Sequence, residues 1–344
     1  MTGTWTARAG RAYGGGMRTT LLGPTGLRVS ELCLGTATFG NAEWGAGEDE
    51  SRRVFEAYYE AGGRFFDCAN TYADGRSEEL LGRFAAPRRE ELVLATKFTA
   101  ATRPGDVNSW GNHRKSLRGA LDDSLRRLGT DYVDVLWVHA WDELTPFEEI
   151  MRALDDAVTA GKVLHVGASN VPAWGVAHAN GIADARGQSP FCAIQGQYNL
   201  AERTIESELL PMARHLGLGV LAWAPFGQGA LVGGTRRGAA PRERLEAGAK
   251  LATIARDAGL EPVTLALAWL LHRDPPVIPV VGARTAAQLP ALLRALEVSL
   301  EPAVAEALDA IAPPPPLLPQ AFLRGPDGVA FFHQGMRETV VTRS

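Results

Sequence analysis

Apolar, β-branched and aromatic residues recur along the chain as eight short runs, at residues 31–35, 64–67, 92–97, 133–139, 163–169, 192–195, 219–223 and 277–282. Each has the length and composition of a strand. Between them, stretches with helical spacing cover residues 49–61, 77–84, 114–128, 146–160, 172–186, 204–216, 245–271 and 285–296. Many open on Ser, Asp, Thr or Pro and close on glycine, as at Gly62, Gly129 and Gly161, the punctuation expected of helix ends. Leu117, Leu121, Leu125 and Leu128 form an apolar stripe down the third helical stretch, which predicts core packing. The strand runs are continuous rather than alternating, so the sheet they form is parallel and buried on both faces. Eight strands alternating with eight helices predict an α/β fold of the (β/α)8 TIM barrel type. An open doubly wound sheet would carry GxGxxG after its first strand, where this chain has Gly35-Thr36-Ala37-Thr38-Phe39-Gly40.

Two extended pieces, residues 17–22 and 27–29, flank the turn Gly23-Pro24-Thr25-Gly26 and predict a short N-terminal β-hairpin ahead of the barrel. Residues 1–16 have no apolar segment of the signal-peptide kind and read as a disordered leader, with Met17 as the functional start. The barrel is expected over 17–312. Residues 313–344 form a Pro-rich C-terminal extension opening on Pro313-Pro314-Pro315-Pro316, whose Phe322, Phe331 and Phe332 are available to dock back on the barrel.

Charge changes this picture little. A net charge of -4 over 344 residues, with 22% charged, advertises neither nucleic acid nor an acidic solvating tail, and no apolar run reaches the length of a membrane helix. A small-molecule partner is the default. Cys33, Cys68 and Cys192 make no disulfide framework and no zinc pattern, and they point to the cytoplasm.

The chemistry is concentrated where a barrel keeps its sites, at the C-terminal strand ends. There stand Asp67, with Tyr72 in the loop beyond it, then Lys97, His139, Ser169-Asn170, Gln195, Trp223-Ala224-Pro225 and Gly282-Ala283-Arg284. A phenol titrates too high to exchange protons readily at neutral pH, and a neighbouring ammonium lowers its pKa. Lys97 fits that part, with Asp67 keeping it charged. Tyr72 then serves as general acid toward a carbonyl oxygen, and His139 orients the same oxygen. Metal ligands of the barrel-hydrolase kind are lacking, since the first strand offers no His-x-His. His113 stands near this rim, whereas His165, His178, His215 and His272 fall inside elements or at helix ends. Lys97 as the Schiff-base nucleophile of an aldolase is a rival reading.

Asp67, Tyr72, Lys97 and His139, set in FFDCANTYADGRSEELLG, VLATKF and DYVDVLWVH, resemble the Asp-Tyr-Lys-His tetrad of the aldo-keto reductase superfamily. So do residues 124–134, Gly167-Ala168-Ser169-Asn170 and Ile278-Pro279-Val280-Val281-Gly282-Ala283-Arg284. The resemblance runs from about Arg18 to Ile311. It implies reversible reduction of an aldehyde or ketone by NADPH, with NADH as the alternative, hydride leaving nicotinamide C4 and Tyr72 supplying the proton. Ser169, Asn170 and Gln195 would bind the carboxamide, and Trp223 would stack on the ring. Ala224, Phe226, Gly227 and Gly229 would line the pyrophosphate, where backbone N–H groups approach oxygen, and Gly282 would also bind the cofactor. Arg284 and Gln288 would face the 2'-phosphate, with Arg236 or Arg237 nearby. Many members carry Glu-Asn shortly after that glutamine where this chain has Ala291-Leu292. Trp44, Trp110, Asn112 and Trp141 would wall an aromatic substrate pocket. The resemblance also admits a cofactor-sensing module like the potassium-channel beta subunits.

Overall fold

The computed structural model describes residues 17–41, 43–234, 240–314, 317–334 and 336. Eight parallel strands close into a barrel: β3 (Cys33–Gly35), β4 (Phe65–Asp67), β5 (Val93–Phe98), β6 (Val133–Val138), β7 (Val163–Ser169), β8 (Phe191–Gln197), β9 (Gly219–Trp223) and β10 (Val277–Val281), with β10 pairing both β9 and β3. Ahead of them β1 (Thr19–Leu21) and β2 (Arg28–Ser30) form an antiparallel hairpin. The hairpin closes the bottom of the barrel. Gly23, at φ 57° in its turn, sits so near the starts of β8 and β9 that a Cβ would stand 2.1 Å from Cys192 O. Leu22 and Val29 join Cys33, Phe65, Val93, Val135, Trp137 and Leu221 in the apolar interior.

Helices α1 (Glu48–Glu60), α2 (Arg76–Ala85), α3 (Arg114–Leu128), α4 (Phe147–Thr159), α5 (Ala173–Arg186), α6 (Leu209–Leu216), α7 (Arg242–Asp257), α8 (Pro262–Leu271), α9 (Leu289–Arg294) and α10 (Pro302–Asp309) clothe the strands. The leucine stripe of α3 is buried in this outer layer. The single helix expected over 245–271 is two, because Gly259 takes φ 67° and Pro262 starts α8. Only the second part of the helix expected over 204–216 is α-helical. α2 opens after Gly75, at φ 89°, two residues ahead of the Ser77 at which the expected stretch begins. Ser77 instead donates to Thr36 O at 2.7 Å, pinning the start of α2 to the loop after β3. Fully buried Glu78 binds Arg127 of α3 at 2.7 Å and accepts from Thr96 of β5, so one carboxylate ties two helices to the sheet.

α11 (Gln320–Arg324) and α12 (Pro326–His333) follow. Phe322 and Phe331 each pair with Phe332, and Phe331 stays 73% exposed. The leader 1–16, Pro315, Pro316, Arg236 and Arg237 lie outside the described residues.

Candidate active site

Side chains on a barrel strand point alternately inward and outward. The inward column of Phe65, Val93, Ala95, Val135 and Trp137 therefore continues, two residues further along each strand, as Asp67, Lys97 and His139. Phe66, Leu94 and Leu136 face the helices. Apolar filling gives way to acid, amine and imidazole within one layer.

Asp67 and Lys97 are each 1% exposed and form an ion pair, and Lys97 Nζ also donates to Cys68 O at 2.8 Å. The opposite carboxylate oxygen, Asp67 Oδ1, accepts from Gln195 Nε2 at 3.2 Å. Tyr72 reaches the pair from a loop in which Ala73 (φ 48°), Asp74 (φ 54°) and Gly75 (φ 89°) are all left-handed. Two of these lack the freedom of glycine, and such residues cost on the order of 1–3 kcal/mol each. The surrounding structure must impose that turn. It leaves Tyr72 OH 3.5 Å from Lys97 Nζ and the ring edge-on to His139, centroids 6.3 Å apart.

The electrostatics differ from the sequence expectation in one respect. Burial raises the Tyr72 phenol above its usual range and outweighs Lys97, which lowers it, so the group stands protonated. Burial pulls the Lys97 ammonium down, but Asp67 and Tyr72 more than offset this and its pKa is raised. His139 is pushed down from 6.5 to about 3, by burial first and Lys97 second, and is neutral. Its Nδ1 is enclosed without a hydrogen-bond partner among the described residues.

That neutrality has a stability signature. A histidine in the unfolded chain takes up a proton near 6.5 and the folded one only near 3, so the stabilisation is complete above pH 6.5 and is lost as pH falls toward 3. Between pH 6.5 and 4.5 the loss is expected to reach about 2 kcal/mol, at 1.36 kcal/mol per unit. Thermal melts of His139→Gln and wild type across that range should converge as the pH drops; a constant offset would contradict a buried neutral imidazole.

These residues open onto a cavity of about 650 Å³, within the range of small-molecule and cofactor sites. Asp67, Tyr72 and His139 lie on its wall with Ser169, Asn170, Gln195, Trp223, Ala224, Phe226, Gly229, Gly282, Arg284 and Gln288. Lys97 stands behind Tyr72, and Gly227 is buried beside the wall without lining it. The backbone N–H groups expected to approach phosphate are otherwise engaged: Gly227 N donates to Ala224 O at 3.0 Å and Gly229 N to Phe226 O at 2.9 Å. What the two glycines supply is a turn, at φ 56° and 97°. The Asn170 amide is also tied within the rim, Nδ2 donating to His139 O at 2.8 Å and Oδ1 accepting from Trp223 Nε1 at 3.2 Å. Gln288 Oε1 accepts from Arg284 N at 2.8 Å and, closing a capping box, from Thr285 N at 3.4 Å, and Arg284 is exposed without an ion pair among the described residues. Leu292 lies in the core.

The four expected pocket-wall residues are not on the cavity surface. Asn112 is 0% exposed, with Nδ2 donating to Ala140 O and Oδ1 accepting from Thr99, so it cannot wall a pocket. Trp44 is half-buried beyond β3 and Trp110 is exposed. Trp141 packs edge-on to Trp174 at 5.4 Å, its backbone N donating to Asn170 O at 3.1 Å, which keeps it next to the rim. His113 caps α3 by accepting from Ser116 N at 3.2 Å. Gly35, Thr38, Gln228 and Val232 also line the cavity and were not expected. Gly35 and Thr38 follow from the strand-end rule. Gln228, at φ 60°, owes its place to a turn with no sequence signature.

A closed parallel barrel with an acid, phenol, amine and imidazole at the mouth of a cofactor-sized cavity defines an oxidoreductase of the carbonyl-reducing kind. The chain belongs to the Aldo/keto reductase family, whose family model matches residues 31–313. It is 42% identical over 294 residues to the norsolorinic acid reductase stcV of Emericella nidulans, covering 80% of this chain and 76% of that protein. It is 38% identical over 300 residues to the aryl-alcohol dehydrogenase GME11368 of Pestalotiopsis microspora (81% and 78%), and 36% identical over 312 residues to the aldo-keto reductase ausK of Aspergillus calidoustus (81% and 78%). Members of this family generally use NAD(P)H.

Proposed function

We propose that the chain reduces an aromatic aldehyde or ketone to the alcohol, reversibly, with NADPH, and that it works in the cytoplasm, where its three free thiols stay reduced. When bound, the nicotinamide supplies hydride from C4 to the carbonyl carbon. Ser169 Oγ and the Gln195 amide would hold the carboxamide, and Asn170, bonded to Trp223, would keep the indole as a flat wall for the ring. Ala224, Phe226, Gly229 and Gly282 line the same cavity and would flank the pyrophosphate, and Arg284, beside Gln288, would meet the 2'-phosphate. The donor set fits such a group: amides, an indole face and a guanidinium without an ion pair among the described residues line one cavity.

Tyr72 gives its proton to the carbonyl oxygen as negative charge develops there. Neutral His139 donates a hydrogen bond to the same oxygen. Lys97, held charged by Asp67, stabilises the phenolate left behind and relays the field of the pair to the rim. The substrate's aromatic part would extend toward Trp141, which is held next to the rim.

The observation that carries this reading is the meeting of Tyr72, Asp67 and His139 on one cavity wall, with Lys97 behind Tyr72. The aryl-alcohol and norsolorinic acid names of the relatives support the aromatic substrate. A lysine that keeps its proton is a poor Schiff-base nucleophile, which weighs against an aldolase. Oxidation of NADPH and of NADH, followed at 340 nm with aromatic aldehydes and ketones, tests the proposal. Turnover with NADPH preferred, and the preference lost in Arg284→Ala, is the expected result. Absence of turnover with every carbonyl would leave the cofactor-sensing module.

A further inference from the structure

We propose that Thr99 and Asn112 are positioning residues for His139, a backbone clasp that sets where the imidazole stands at the cavity wall. The inference rests on the carbonyl-reductase reading, because it assumes that His139 orients the substrate oxygen.

Three observations lead to it. The first is a local outlier. Thr99, just past the end of β5, takes φ 99°, a region that a β-branched residue almost never adopts, and it is buried. Such a conformation persists only where the surroundings over-determine it, and these positions cluster at functional sites. The second is what that conformation achieves. Thr99 Oγ1 accepts from His139 N at 3.2 Å and donates to Asn112 Oδ1 at 2.6 Å, while Thr99 O accepts from Gly111 N at 2.7 Å. Asn112 Nδ2 then donates to Ala140 O at 2.9 Å, and Asn112 N to Asp142 Oδ2 at 3.0 Å. Asp142 is fixed in turn by Thr145 Oγ1 and Leu144 N. The segment carrying His139 is held at His139, Ala140 and Asp142, while Asn170, just past the neighbouring strand β7, holds His139 O.

The third is what His139 lacks. A functional imidazole is usually oriented through its second ring nitrogen, by a carboxylate or a carbonyl. Here Nδ1 has no partner among the described residues. Orientation must therefore come from the backbone that carries the ring, and Thr99 and Asn112 are the side chains that grip it. Neither lines the cavity, so neither meets substrate.

The test is a double-mutant cycle of Thr99→Val with His139→Gln, on the full chain with NADPH and one aromatic aldehyde. Valine keeps the branched shape and removes the hydroxyl. Thr99→Val is expected to lower kcat/KM by roughly 10- to 100-fold, the usual effect of losing an orienting partner, with the Kd for NADPH unchanged. Thr99→Ser, which keeps the oxygen, should recover most of the loss. In the double variant the effects should not multiply: kcat/KM should match that of His139→Gln alone, because Thr99 acts only through the imidazole. Should Thr99→Val fail to fold, Asn112→Ser takes its place in the same cycle. Multiplicative losses, or a loss that serine does not recover, would overturn the clasp and leave the reductase reading intact. A His139→Gln variant as active as wild type would overturn both.

Discussion

Tyr72→Phe is expected to lower kcat for carbonyl reduction by roughly two to four orders of magnitude, the usual size of a proton-transfer contribution. The substitution removes one oxygen and keeps the ring that packs edge-on to His139. Nothing else on the cavity wall changes, so the Kd for NADPH, followed by quenching of protein fluorescence, should hold. The prediction leans on the protonation state. Burial dominates the phenol and keeps it a proton donor, while Lys97, 3.5 Å away, stabilises the anion that forms once the proton has gone. A residue serving only to fill space would survive the change. Turnover within a few-fold of wild type would therefore remove Tyr72 from the chemistry, whatever the family resemblance.

The sequence disclosed the fold through one simple regularity, the alternation of apolar runs with helical stripes, and disclosed the tetrad through another. Asp67, Lys97 and His139 extend inward-pointing columns, so strand ends found from apolar runs already place them on one rim. Tyr72 is different. Its approach depends on three consecutive left-handed residues, of which Ala73 ordinarily avoids that region, and the Asp74-Gly75 pair announces a turn without saying where it leaves the ring. Asn112 was misread for a related reason. A polar residue beside tryptophan in a rim loop looks the same whether its amide faces a cavity or a backbone, and only burial distinguishes the two. Gly227 and Gly229 likewise promised open N–H groups, but the turn they permit consumes those groups itself. The helix expected over 245–271 failed at Gly259, where an uninterrupted apolar count concealed a left-handed stop.

Lys97→Met should separate stability from chemistry at the centre of the site. It leaves Asp67 buried with the Gln195 amide at 3.2 Å as its remaining side-chain donor among the described residues. Removing one partner of a buried ion pair typically costs about 3–5 kcal/mol, because the other charge is left uncompensated. A drop in Tm on the order of 10 °C follows for a domain of this size. Turnover should fall as well, since the phenolate loses its cation. The double variant Asp67→Asn/Lys97→Met carries neither charge, so it should regain most of the lost stability while turnover stays low. That divergence matters because a site held together by a buried pair invites the conclusion that the pair is there for the fold. Replacing buried ion pairs by neutral groups is often harmless to stability, so a double variant that melts like wild type yet barely turns over would assign the pair to catalysis. If Lys97→Met alone melted like wild type, Asp67 would have to be neutral or hydrated at the barrel mouth, and the charged pair would have no part in setting the Tyr72 phenol.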